Sequence, residues 1–173
     1  MKKYLFGASL LALCFQTAPA LGETVEETAA VFGMRPYILD ISLSPEGDKV
    51  ALISGGPQGS ELLNVVDLKG SAEVKTILTV NEQDTNLAYC EWATEERVVC
   101  QARIVKSDAG TLIGFSRLFA IDDTGKDVQI LSARDTYRAL GFRQNGGSIV
   151  ALDVPGKRDR VLMTKQFVPE VTI

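Results

Sequence analysis

Residues 39–54, LDISLSPEGDKVALIS, constrain the fold more than any other stretch of the chain. Leu39, Ile41 and Leu43 alternate with Asp40, Ser42 and Ser44. This two-residue period marks a half-buried strand, because successive strand side chains point to opposite faces. Pro45-Glu46-Gly47-Asp48 interrupts the pattern with turn chemistry: proline presets φ, glycine accepts a positive φ, and aspartate can bond its own backbone. Val50 and Leu52 then resume the alternation, so the unit reads as strand, turn, strand.

Weaker copies of the unit fill the rest of the chain. Strands are predicted at 39–43, 49–54, 62–68 and 74–80, with a loop at 55–59. A second set falls at 87–92, 97–105, 114–122 and 128–131, with turns at 93–96 and 123–126. A third opens with 139–142 and 148–153, a turn at 155–159, and 160–165. Asp48-Lys49-Val50, Glu96-Arg97-Val98 and Asp159-Arg160-Val161 mark the copies, at spacings of 48 and 63 residues. Asp67 and Asp122, in the third strands of the first two sets, are 55 residues apart.

Four short antiparallel strands in about 40 to 50 residues make one blade of a β-propeller. The expected fold is all-β, an incomplete β-propeller of about two to three blades, with a sandwich of hairpins as the competing architecture. A propeller closes with about four blades or more, so this repeat count leaves sheet edges and an inner face open. Further chain beyond Ile173, association of copies, or another fold would each resolve this; the first is the expectation.

The N-terminus reads as an address. Lys2 and Lys3, the apolar run 5–15 and Ala18-Pro19-Ala20 form a secretory signal peptide over residues 1–20. The run is too short to span a bilayer, which takes about 20 apolar residues. A lipidation box ending at Cys14 is the alternative, although Leu13 stands where a small residue is usual. Residues 21–36 form a lead-in segment with a short helix at 24–32, capped by Thr24 and ended by Gly33. The β domain is expected over 37–173, in the periplasm or secreted.

Composition excludes several functions. The chain has 18 basic and 22 acidic residues, a net charge of −4. Without residues 1–20 it loses Lys2 and Lys3, leaving 16 basic against 22 acidic residues, or −6. This balance does not favour nucleic acid as a partner. There is no histidine, so the chain alone can build neither a Ser-His-Asp or Cys-His site nor a histidine zinc site. No catalytic residue, metal ligand or cofactor is expected.

Two cysteines follow the signal peptide, Cys90 and Cys100. An oxidising compartment favours a disulfide between them. In a hairpin with a three- or five-residue loop, Cys90 faces Cys100 and Trp92 faces Val98 on one side of the sheet; with a four-residue loop Cys90 would face Val99 and the sulfurs would point to opposite faces. Two buried free thiols are the alternative. The run 122–127, DDTGKD, lacks calcium-loop spacing and reads as a turn. Trp92 reads as core. Arg134, Arg138 and Arg143 cluster near Tyr137; Arg134, Tyr137 and Arg138 are candidate contacts for a peptide, against the alternative of a solvated loop.

Taken together, FGMRPYILDISLSPEGDKVALIS from Phe32, LLNVVDL from Leu62, LAYCEWATEERVVC from Leu87, SRLFAIDDTG from Ser116 and VLMTKQFVPE from Val161 resemble a bacterial branch of the prolyl oligopeptidase family. The resemblance implies an N-terminal β-propeller that gates or positions peptide substrate for a C-terminal α/β-hydrolase domain, its partner. That domain's G-x-S-x-G elbow does not occur in this chain. The resemblance therefore implies a non-catalytic portion of a serine peptidase, inactive alone, and transfers no functional residue. The ending VPEVTI departs from the family's usual Thr-Gly after Pro-Glu. A stand-alone periplasmic module, like the TolB propeller and binding protein partners, is the alternative.

Overall fold

The computed structural model describes residues 24–25, 37–132, 135–157 and 160–171. The signal peptide expected at 1–20 lies outside these residues, as does the expected helix apart from Thr24 and Val25. Among the described residues every strand lies in the compact unit Arg35–Ile173. In order these are β1 (Ile38–Leu43), β2 (Lys49–Gly55), β3 (Glu61–Asp67), β4 (Val74–Val80), β5 (Thr85–Thr94), β6 (Arg97–Asp108), β7 (Thr111–Asp122), β8 (Val128–Ile130), β9 (Ile149–Ala151) and β10 (Leu162–Met163). They form two antiparallel meanders, β1-β2-β3-β4 and β5-β6-β7-β8, and a two-stranded sheet of β9 and β10. The described chain is thus all-β, a partial propeller of two blades and the beginning of a third.

The first hairpin follows its sequence pattern with one change of actor. Ile41 faces Leu52 and Leu43 faces Val50, so the apolar positions share a face. Gly47 takes φ +76°, the left-handed conformation that glycine tolerates. Ser44, rather than Asp48, organises the turn: its Oγ accepts from the N–H groups of Asp48 (3.2 Å) and Lys49 (3.0 Å). Asp48 instead turns outward to Lys69.

β6 and β7 run past the predicted ends at 105 and 114 and meet in a two-residue turn, Ala109-Gly110. Both turn residues have positive φ, +47° and +83°. This is the conformation that matches the right-handed twist of the flanking strands. Lys106 pairs with Asp84 at the base of the arm.

The third repeat departs most from expectation. Residues 139–142 form no strand; Ala139 makes a single bridge to Glu170. The strands predicted at 148–153 and 160–165 shrink to β9 and β10. Segment 144–147 instead runs beside β7, where Ser116 N–H donates to Gln144 O (2.8 Å). A Cβ on Gly146 would stand 2.4 Å from Ser116 O, so only glycine permits this approach. Phe142 is drawn out of any alternation to pack on Phe115, ring centroids 5.7 Å apart.

Two cores hold the sheets together. Between the meanders, Ala51, Ile53, Leu63 and Val65 meet Leu87, Trp92, Val98 and Ile121. On the other face of the second meander, Val99, Leu118 and Ala120 pack under Ile149, Val161 and Met163. At the joint, acids of the first meander satisfy edge N–H groups of β5: Asp40 accepts from Cys90 (2.9 Å) and Glu61 from Leu87 (2.6 Å). Unpaired edge groups of this kind otherwise invite mispairing.

Candidate functional site

The Cys90–Cys100 hairpin is built for stability. The strand register shifts at Ala93, so Trp92 faces Val98 and Cys90 faces Cys100. That is the five-residue spacing of the sequence reading, and the two cysteines are joined in a disulfide with Cα atoms 4.1 Å apart. Both are buried, which makes the bridge part of the core rather than an accessible redox centre. Trp92 is buried beside it and donates its indole N–H to Ser42 O (3.2 Å), tying β5 to β1.

Tyr137 and Arg138 are brought together on the surface. Arg138 Nε donates to the Tyr137 hydroxyl (2.9 Å), and its guanidinium stands 5.3 Å from the ring centroid. Tyr137 is 88% exposed. Arg143, next in the same arginine cluster, is buried: its Nε donates to Gln166 O (3.0 Å) and its Nη1 pairs with Asp135 (3.4 Å). Arg134 lies outside the described residues.

A cleft of about 1000 Å³ opens between the second meander and the third sheet. Its apolar lining is Val99 and Ala120 from β6 and β7 with Leu131, Val161 and Met163, which pack against them. The rim is charged, and most of the charge is paired. Lys49 Nζ bonds Asp123 (2.6 Å) and Glu95 O (2.9 Å). Arg97 bonds the Asp127 carboxylate (2.8 Å) and carbonyl (3.1 Å). The hydrogen bond that Lys49 donates to Asp123, outweighing desolvation, raises the Lys49 pKa.

Asp122 organises the turn on this rim. Burial pushes its carboxyl upward, but the Thr124 hydroxyl and the N–H groups of Lys126, Asp127 and Gly125 prevail and bring it down to about 2. The run 122–127 is the turn expected from its Asp-Gly chemistry, and Gly125 (φ +81°) seats it against β4. A Cβ there would lie 2.5 Å from Ile77 O.

Arg160 and Glu96 also line the cleft. Neither has an ion-pair or side-chain hydrogen-bond partner among the described residues. Sequence reasoning placed both in a repeated acid–base run but attached no site to them. Nothing in the sequence shows that the second and third copies face one another across a gap.

The sequence matches no protein-family profile and no curated protein. Among solved structures, an acylaminoacyl peptidase in complex with Z-Gly-Gly-Phe-chloromethyl ketone is similar at 18% identity and a TM-score of 0.44, over 54% of this chain and 17% of that one. The Pyrococcus horikoshii acylaminoacyl peptidase is similar at 16% identity and a TM-score of 0.43, over 60% of this chain and 20% of that one. The chain thus spans a fifth or less of the length of these structures. No helix among the described residues is long and apolar enough to cross a membrane.

Proposed function

We propose that this chain is the non-catalytic propeller portion of a secreted serine peptidase of the prolyl oligopeptidase type. In this reading it admits or positions peptide substrate for an α/β-hydrolase domain. The observation that carries the reading is the repeated blade: two consecutive four-stranded meanders stack face to face. Their hairpins carry the Asp48-Lys49 and Glu96-Arg97 runs of the family-like stretches. A stack of blades filters substrate by size, since folded proteins cannot pass where an extended peptide can. Tyr137 and Arg138 form an exposed amphipathic pair suited to touching such a peptide, and Arg134 joins them in this proposal. The basic-apolar start of the chain and the buried disulfide suit export to the periplasm or beyond.

The test is the coding sequence read onward from Ile173. An in-frame half carrying G-x-S-x-G, followed by Asp and His, is expected. A stop followed by unrelated sequence would overturn the reading. The purified chain alone should turn over no peptide substrate.

One observation favours a second reading, a TolB-like module that binds protein partners. The outer face of the first meander exposes Ile41 (62%), Leu43 (59%) and Val74 (60%). Exposed apolar surface of this kind marks interaction sites. The same stop codon would support this second reading.

A further inference from the structure

We infer that residues 111–115, on the free edge of the β6–β7 arm, join two copies of this chain by antiparallel strand pairing about Ile113. The inference rests on the arm alone and does not depend on the peptidase reading.

The free edge follows from the register. β6 and β7 pair without a break, from Arg97 opposite Asp122 to Asp108 opposite Thr111. On the side of β7 away from β6, Ser116 N–H donates to Gln144 O and Leu118 O accepts from Leu131 N–H. Alternate residues of a strand turn their backbone groups to the same side, so Gly114 and Leu112 also point away from β6. The pairing seen from β6 agrees: Val105, opposite Gly114, sends its N–H outward to Asp84 O. β8 reaches only Phe119, Ala120 and Ile121 of β7. Among the described residues nothing bonds the backbone of Leu112 or Gly114 on that side. Such a row of groups templates another strand, and proteins usually block it with charge, proline or a bulge. The run 111–115, TLIGF, has none of these.

A second copy is the strand that fits. With Ile113 on a two-fold axis, Leu112 stands opposite Gly114 of the other copy, and the two exchange N–H and C=O bonds reciprocally. Every free donor on the run then meets a free acceptor. Leu112, 73% exposed, gains a neighbour that has no side chain to obstruct it. Nothing within the chain calls for glycine at position 114: its φ is not positive, and a Cβ there would meet nothing within 4 Å. A glycine that weakens a strand without such a need suits the close approach of another backbone. The ladder stops at Ser116, whose N–H is already bonded to Gln144. So short a contact buries less than a stable dimer needs, which makes the association reversible, with a dissociation constant of about 10 μM to 1 mM.

The test is sedimentation of the full chain from about 10 μM to 1 mM, where a monomer–dimer equilibrium is expected. Gly114→Val and Leu112→Lys should each weaken the dimer by about tenfold or more. Both positions are exposed, so the melting temperature of each variant should stay near that of the parent. Lys75→Glu, an exposed change on β4, should leave the dimer intact. The register is tested by cross-linking. Ile113→Cys should form a disulfide dimer on oxidation, because the self-paired Cα atoms would stand about 4.5 Å apart. Thr111→Cys should not, its two copies being about 14 Å apart along the strands. A monomer at every concentration would overturn the inference. So would a dimer indifferent to Gly114→Val and Leu112→Lys, a dimer that Ile41→Lys on the first meander abolishes, or equal cross-linking of the two cysteine variants.

Discussion

The two meanders have the same strand order and very different surroundings. The second is packed on both faces, by the first meander on one side and by the third sheet on the other. It is also cross-linked by Cys90–Cys100 and extended by the β6–β7 arm. The first meander is packed on one face only, and its other face leaves Ile41, Leu43 and Val74 exposed. The polar group on that open side, Asn64 bonded to Ser54 (2.9 Å) and Thr76 (2.7 Å), is satisfied within its own sheet. Burial on both faces therefore comes from position in the stack, not from the meander itself. A strand pattern that looks alike in both copies has different energetic weight in each.

Paired truncations should expose this contrast most strongly. Leu118→Ala, at a fully buried position of the second meander, should cost about 2 to 5 kcal/mol, the range for deleting a buried leucine side chain. Ile41→Ala on the open face should fall within about 0.5 kcal/mol of the parent. Urea unfolding of both variants checks this, and equal costs would mean that the open face is in fact covered.

The disulfide should rank next. Replacing Cys90 and Cys100 together by alanine should cost about 2 to 3 kcal/mol, as expected for a cross-link closing a loop of about ten residues. Unfolding with and without reductant measures it. An unchanged midpoint would show that the bridge adds nothing to the doubly packed sheet.

The arm offers a gain instead of a loss. Ala109 holds φ +47°, a conformation costly for a side chain with a Cβ and tolerated by asparagine. Ala109→Asn should stabilise the chain by about 0.5 to 1 kcal/mol. A lowered melting temperature would contradict the positive φ at that turn.

The smallest effect concerns acid. The Asp122 carboxyl is held at about 2 in the folded chain, below its ordinary 3.8. Its contribution to stability is therefore complete above pH 3.8 and is lost as pH falls toward 2. Asp122→Asn should flatten that part of the stability–pH curve. A variant with an unchanged acid limb would remove Asp122 from the list of groups holding the interblade turn.

The strand set of the first two repeats was legible in the residues because each strand alternates and each turn carries its own chemistry. The spacing 74–80 of the fourth strand matches β4, and the hairpins of 39–54 and 87–105 are found where the pattern puts them. The third repeat was not legible. Residues 139–142 carry apolar side chains in strand-like order, yet they form only a bridge to Glu170, while Gly146 lets segment 144–147 lie against β7. The cleft was equally hidden. Arg160 and Glu96 read as ordinary strand-edge charges, and only the structure brings both to one cleft.

The sequence by itself determined the local units: which stretches alternate, where Pro-Glu-Gly-Asp and Asp-Asp-Thr-Gly must turn, and that no histidine chemistry can arise here. These follow from nearest-neighbour physics, namely side-chain alternation, allowed φ and the inventory of ionisable groups. Only the tertiary structure decided the cysteine register, which hangs on one extra residue at Ala93. It alone decided that Ser44 rather than Asp48 bonds the first turn, and which charges find partners. Those outcomes depend on distances between residues far apart in the chain. A period of two residues says which face a side chain takes, but not what stands opposite it.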